Sequence, residues 1–256
     1  MVEFEESPSL LVWKILAVPV SFVLAFFTYL ENESAAILLI GFGVLNLASI
    51  CIVYVLDFLT GWYSNIVESC SDWDDMNFSS LSDAQRSYVL MLVGLIVLFI
   101  VSSVCGFFLS ITGQIESFSF GFWVPNDLYP LSWSSSAVLG LGVSLLSTLF
   151  AVVPGEEGFK NCFLVINKAF SFEGLPFCLQ PCRLAANFFW ALLHVVLGQN
   201  NPFFVVSVFL AGCIMDTVSA RSGTIENNYR IHALFNSIII IGSFVFSGVL
   251  TIVWGA

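Results

Sequence analysis

The chain has 256 residues, of which 58% are hydrophobic and only 10% charged, and its formal net charge is −11. A soluble domain carries roughly 45–50% apolar and about 25% charged residues, so this composition excludes an ordinary soluble domain and points to an all-α, polytopic membrane protein. The acidic balance argues against nucleic acid as a partner and offers no basic surface to anionic lipid, which leaves the apolar core of the lipid bilayer as the medium the chain contacts.

A spanning helix needs about 20 mostly apolar residues. In chain order, candidate spans lie near 9–30, 35–59, 87–112, 136–153, 184–198, 202–220 and 229–254. The first run starts near Leu10 and is long enough to span, so it reads as a retained helix and not as a cleaved signal. An eighth, more polar helix is expected over 155–170, after a break at Pro154 and Gly155, because proline is well tolerated at a helix start. The expected fold is thus a bundle of about 7–8 transmembrane helices in one membrane domain. Residues 1–135 supply N-terminal helices and acidic loops, and 136–256 a helical core. Segments 60–86 and 113–135 are extramembrane, rich in Ser, Asp and aromatic residues. Acids cluster outside the apolar runs, as in "ENES" at 31–34 and "ESCSDWDD" at 68–75.

Lys168 and Arg183 bracket one loop and Arg221 and Arg230 another, with the hairpin 184–220 between them. Four basic residues then lie on one side, which the positive-inside rule makes cytoplasmic. Of the seven cysteines, Cys51, Cys105, Cys162 and Cys213 fall in apolar runs and behave as small hydrophobes. Cys178 and Cys182 in "FCLQPC" could form a disulfide or half a metal site, although two histidines and no second Cys pair argue against the metal.

The stretch "AVVPGEEGFKNCF", residues 151–163, places Glu156 and Glu157 between oily runs. Two acids facing lipid would cost roughly 5–7 kcal/mol on insertion scales. One reading is a surface turn, with both acids in a helix first turn stabilised by its dipole. The other is a polar site inside the membrane. Both histidines lie on helices: His194 in "NFFWALLHVVLG", one turn after Trp190, and His232 in "YRIHALFNSIIII", four residues before Asn236. Residues four apart share a helix face, and intramembrane ionisable groups mark functional sites. A Glu beside a Glu in a poorly solvated cavity has a raised pKa and moves toward the range of a general base. A histidine could hold the same water, and His232 with Asn236 could donate to a developing oxyanion. Alternatively, Glu156, His194 and His232 could be three zinc ligands with an open fourth position. There is no HExxH helix, no Gly-Asp aspartyl motif, and "SARSG" at 219–223 has Ala where a serine intramembrane protease has its Gly.

These residues resemble the CPBP intramembrane proteases, which include the CAAX endopeptidases. Their motifs are EExxxR, FxxxH and HxxxN. The counterparts are "EEGFKN" at 156–161, "WALLH" at 190–194 with Trp190 in the Phe position, and "HALFN" at 232–236. "RSGTIENNYRIH", 221–232, resembles the family's approach to the last histidine. The resemblance covers roughly 136–250. The family's arginine position is Asn161, and the basic residue lies one place earlier, at Lys160. "EEGFK" therefore also resembles the EExxK motif of PrsW-type proteases, which usually carry Glu where this chain has His194.

The resemblance implies a metal-free glutamate protease. Glu156 would be the general base, His194 would position its water, Glu157 would support the site, and His232 with Asn236 would form the oxyanion hole. Lys160 could pair with Glu156 or snorkel to an interface. The substrate would be a membrane-associated protein or peptide, such as a prenylated CAAX tail, a bacteriocin-type leader or a membrane-bound regulator. The location would be a prokaryotic cell membrane or an ER-type membrane. The rival readings are a catalytically impaired scaffold of the same family, for which Asn161 speaks, and an ion- or proton-coupled transporter, which would more often show inverted repeats.

Overall fold

The computed structural model describes residues 8–29, 33–52, 81–113, 135–163, 175, 177–196, 202–222 and 226–254. Most of the acidic segments 60–86 and 113–135, together with Lys168, lie outside these residues. The described elements are helical: α1 (Pro8–Tyr29), α2 (Glu33–Ile50), α3 (Leu81–Ile111), α4 (Ser135–Ser147), α5 (Val153–Cys162), α6 (Pro181–Val196), α7 (Pro202–Ser222) and α8 (Glu226–Trp254). Three helices open on proline, whose fixed φ suits a first helical position and whose missing N–H costs nothing there. Among the described residues, three stretches are long and apolar enough to cross a membrane: Pro8–Tyr29, Leu92–Leu109 and Val138–Cys162. Ala36–Ile50 and Pro202–Thr217 are shorter apolar helices.

The expected break at Pro154 does not occur. A π-helical turn, Thr148–Val152, joins α4 to α5, and the Val153 N–H bonds back to the Thr148 carbonyl. A proline inside a helix deletes one i→i−4 bond and crowds the preceding turn. The wider turn just before Pro154 absorbs that insult, and the chain continues. The segment expected as a separate helix over 155–170 is therefore the end of a span that starts in α4. It stops at Cys162, where the Phe163 N–H bonds the Lys160 carbonyl.

Burial is inverted relative to a soluble domain. Phe26, Phe27 and Leu139 are more than half exposed, whereas Lys14, Glu157, Lys160, Arg183 and Asp216 are buried. This arrangement is consistent with lipid as the outer solvent. It also corrects the topology argument, because Arg183 is no loop residue: it points inward and pairs with Asp216 on α7. Arg230 pairs with Glu226 on its own helix. The positive-inside argument thus loses one of its four residues.

Three apolar clusters pack the helices together. Leu95, Trp190, Phe204, Met215 and Ile231 join α3, α6, α7 and α8. Ala25, Ala36, Leu39, Phe42 and Ala151 join α1 and α2 to the π turn. Leu10, Val153, Tyr229 and Ala233 join α1, α5 and α8. The Trp13 indole donates to the Leu149 carbonyl at 2.9 Å, tying α1 to the same turn. The N-terminal helices therefore pack directly on the core expected over 136–256.

Gly155 and Gly158 lie on the face of α5 that meets α2. A Cβ at Gly155 would stand 2.9 Å from the Phe42 carbonyl oxygen, and one at Gly158 2.8 Å from Ser49 Cβ. Overpacking of this kind costs about 1–3 kcal/mol. Gly155→Ala and Gly158→Ala should each lower the thermal midpoint in detergent. Gly142→Ala, which meets nothing within 4 Å, should leave it unchanged or raise it. Equal midpoints across the three variants would show that α2 and α5 do not meet at this distance.

Candidate active site

Because α4, the π turn and α5 are continuous, Glu156 and Glu157 have no free helix N-terminus to stabilise them. The dipole reading of the pair therefore fails, and side chains from α5, α6 and α8 hold the two carboxylates instead. Glu157 is fully buried. Its Oε1 is ion-paired with Lys160 Nζ at 2.7 Å and accepts from His232 Nδ1 at 2.8 Å. Lys160, also fully buried, neither snorkels nor pairs with Glu156. Its ammonium lies between Glu157 and the Trp190 ring, 4.3 Å from the ring centroid, where the ring quadrupole attracts a cation.

Glu156 has different partners. Its Oε2 accepts the Trp190 indole N–H at 2.6 Å and stands 3.5 Å from His232 Nε2. Its Oε1 lies 4.0 Å from His194 Nε2. Trp190 is thus the hub of the cluster: its N–H holds Glu156, its face holds Lys160, and both imidazoles stand edge-on to it at 5.4 and 5.5 Å. A phenylalanine, the residue of the FxxxH motif, could supply the face but not the N–H donor. Asn236 is buried one turn beyond His232. Asn161 points elsewhere and donates to the Tyr229 hydroxyl at 3.2 Å, outside the carboxylate cluster.

Hydrogen bonds assign the histidine tautomers. His194 Nδ1 is 2.9 Å from the Trp190 carbonyl, which only accepts, so Nδ1 carries the proton and Nε2 presents a lone pair to Glu156. His232 Nδ1 faces a carboxylate that is ion-paired to Lys160, so it too is protonated. His232 can then donate from Nε2 only when both ring nitrogens are protonated.

Among the described residues, no three His, Cys, Asp or Glu side chains form a group able to hold a metal ion. Glu156, His194 and His232, the zinc alternative, converge without meeting that arrangement, and Glu156 Oε2 already accepts the indole N–H. Cys178 and Cys182 are free and not joined to one another. The chain matches no family model, no curated protein and no solved structure.

Sequence reasoning missed a second buried polar group. Asp216 on α7 accepts from Arg183 Nε at 3.1 Å and Nη2 at 2.5 Å, from Asn187 at 2.8 Å and from Asn228 at 3.2 Å. The Asn228 amide oxygen accepts in turn from Ser219 at 2.7 Å. The signal was present, since Asp216 in "LAGCIMDTVSA" is an acid inside an apolar run, as anomalous as the Glu pair. Lys14 in "LLVWKILAV" is another. It is buried, with its ammonium 4.9 Å from the Tyr229 ring centroid.

The chain has only two histidines, so ¹⁵N-histidine labelling reports this site alone. At a pH where a ring is neutral, both should show a protonated Nδ1 and a bare Nε2. A protonated Nε2 on neutral His194 would contradict the geometry described here.

Proposed function

We propose that the chain is an integral membrane endopeptidase of the glutamate type, similar to the CPBP proteases, in a bundle of about seven or eight spans. It would hydrolyse a peptide bond of a membrane-associated protein or peptide without a bound metal. The observation that carries this reading is the facing of Glu156 Oε1 and His194 Nε2 across 4.0 Å. Both atoms are acceptors. Two acceptors at that separation call for a donor between them, and a water about 2.8 Å from each fits. Such a water gives one proton to each acceptor and keeps a lone pair for an electrophile.

The chemistry follows from the partners. The water oxygen adds to the scissile carbonyl carbon as Glu156 takes its proton. The negative charge moves to the carbonyl oxygen, where Asn236 donates through its amide and His232 through Nε2 when both its ring nitrogens carry protons. Collapse breaks the C–N bond, and Glu156 returns the proton to the leaving amine. Glu157 and Lys160 do not touch the reacting atoms in this scheme; they orient His232. Trp190 fixes Glu156 through Oε2, which leaves Oε1 for the water. Lys160 thereby takes a place in the cluster although the motif arginine position holds Asn161, and this weakens the scaffold reading.

Against membrane-anchored peptide substrates, Glu156→Gln should lower the single-turnover rate by about 10²–10⁴, since shape is kept and the base is lost. Asn236→Ala should cost roughly 10²–10³, the range for one oxyanion donor. Lys160→Met leaves the buried Glu157 carboxylate uncompensated, and its rate should fall toward that of Glu156→Gln. Cleavage by Glu156→Gln at the native rate would sink this mechanism. Activity abolished by a chelator and restored by zinc would replace it with metal chemistry.

A further inference from the structure

We infer that Arg183 and Asp216 are the positioning pair of this site, setting Lys160, and through it Glu157 and His232, from outside the motif residues. The last carbonyls of a helix lack the i+4 N–H that carbonyls further back accept from. In α5 one of these is the Lys160 carbonyl, which takes the Phe163 N–H at 3.2 Å and, on its other lone pair, Arg183 Nη1 at 3.2 Å from α6. The same guanidinium grips Asp216 of α7 with Nε and Nη2. One planar side chain therefore fixes the end of the helix that carries Glu156, Glu157 and Lys160 against two neighbouring helices.

Asp216 is itself over-determined. Asn187 of α6 and Asn228 of α8 complete its shell, so α6, α7 and α8 meet on one carboxylate. Gly212 keeps that approach open, because a Cβ there would collide with the Asn187 amide. The backbone atom that Arg183 holds belongs to the residue whose ammonium lies 2.7 Å from Glu157. A shift of the Lys160 backbone moves that ammonium off both Glu157 and the Trp190 face. Glu157 then loses the counter-charge that orients it toward His232.

Lysine cannot replace arginine in this role. A guanidinium presents a rigid fork that grips a carboxylate with two parallel bonds and still reaches a third acceptor, whereas an ammonium is a point charge. Arg183→Lys preserves the charge opposite Asp216 and removes the fork. Asp216→Asn preserves shape and weakens the grip, and serves if the first variant folds poorly. The control is a destabilising substitution away from the site. Leu39 of α2 is buried in a separate apolar cluster that contains none of the polar residues of the site, so Leu39→Ala destabilises without touching them.

The proposal rests on the protease reading for turnover only, and its spectroscopic arm stands without it. In ¹⁵N-histidine-labelled protein, Arg183→Lys and Asp216→Asn should shift or broaden the His232 Nδ1–H resonance, while Leu39→Ala leaves it at the native position. With a cleavable membrane-anchored peptide, kcat should fall about 10–100-fold in the first two variants with KM within about twofold, the loss seen where outer partners orient a site. A His232 resonance in Arg183→Lys and Asp216→Asn matching that of Leu39→Ala would overturn the proposal. If the native protein cleaves no peptide while the resonance still responds, the positioning role holds and the protease reading fails.

Discussion

An ion inside an apolar medium must be paired or neutralised, because its desolvation costs several kcal/mol even after the protein relaxes. The interior of this chain is arranged around that constraint. Glu157 is ion-paired with Lys160 and Asp216 with Arg183, whereas the groups facing Glu156 at ion-pair distance are the two histidines. The two histidines stand at the uncompensated end, beside Glu156. The part of the cluster that is not closed by a fixed charge is the part with imidazole nitrogens around it. A closed pair such as Arg183–Asp216 is chemically quiet, whereas an open carboxylate between two imidazoles can move a proton.

The backbone places this cluster by being uninterrupted. Had the chain broken at Pro154, the acids would have sat on a surface turn and met water. The π turn keeps α5 running on from α4, and the Gly155–Gly158 face presses it onto α2. With one face committed to α2, the Glu156, Glu157 and Lys160 face turns toward α6 and α8. Small residues on one side of a short helix thus dictate which way its charges point, as they do wherever membrane helices approach closely.

Trp190 holds two charged groups of opposite sign at once. Phenylalanine at this place would offer an apolar face alone. The indole adds a donor, at 2.6 Å from Glu156, and a face electron-rich enough to hold Lys160. Fixing Oε2 of Glu156 with a neutral donor leaves its charge in place while orienting it, so Oε1 is aimed at His194. Lys160 reaches Glu157 because i and i+3 are neighbours on a helix surface.

Local chemistry made several features legible in the sequence. Composition and run length alone pointed to a helical chain built for an apolar medium, and the cost of two acids in such a run marked Glu156 and Glu157. Helical spacing put His232 and Asn236 on one face and Trp190 one turn from His194. None of these steps needs a contact between distant segments. The continuity through Pro154 was not legible, because proline tolerates both a helix start and a π-supported interior, and packing of α1 and α2 on the turn selects between them. The partner of Lys160 was not legible either: Glu156 and Glu157 both lie within its reach along α5, and His232 and Trp190, arriving from α8 and α6, decide for Glu157. Arg183 was misread as a loop residue for the same reason. Its partner Asp216 lies 33 residues away, and only the crossing of α6 and α7 brings the two charges together.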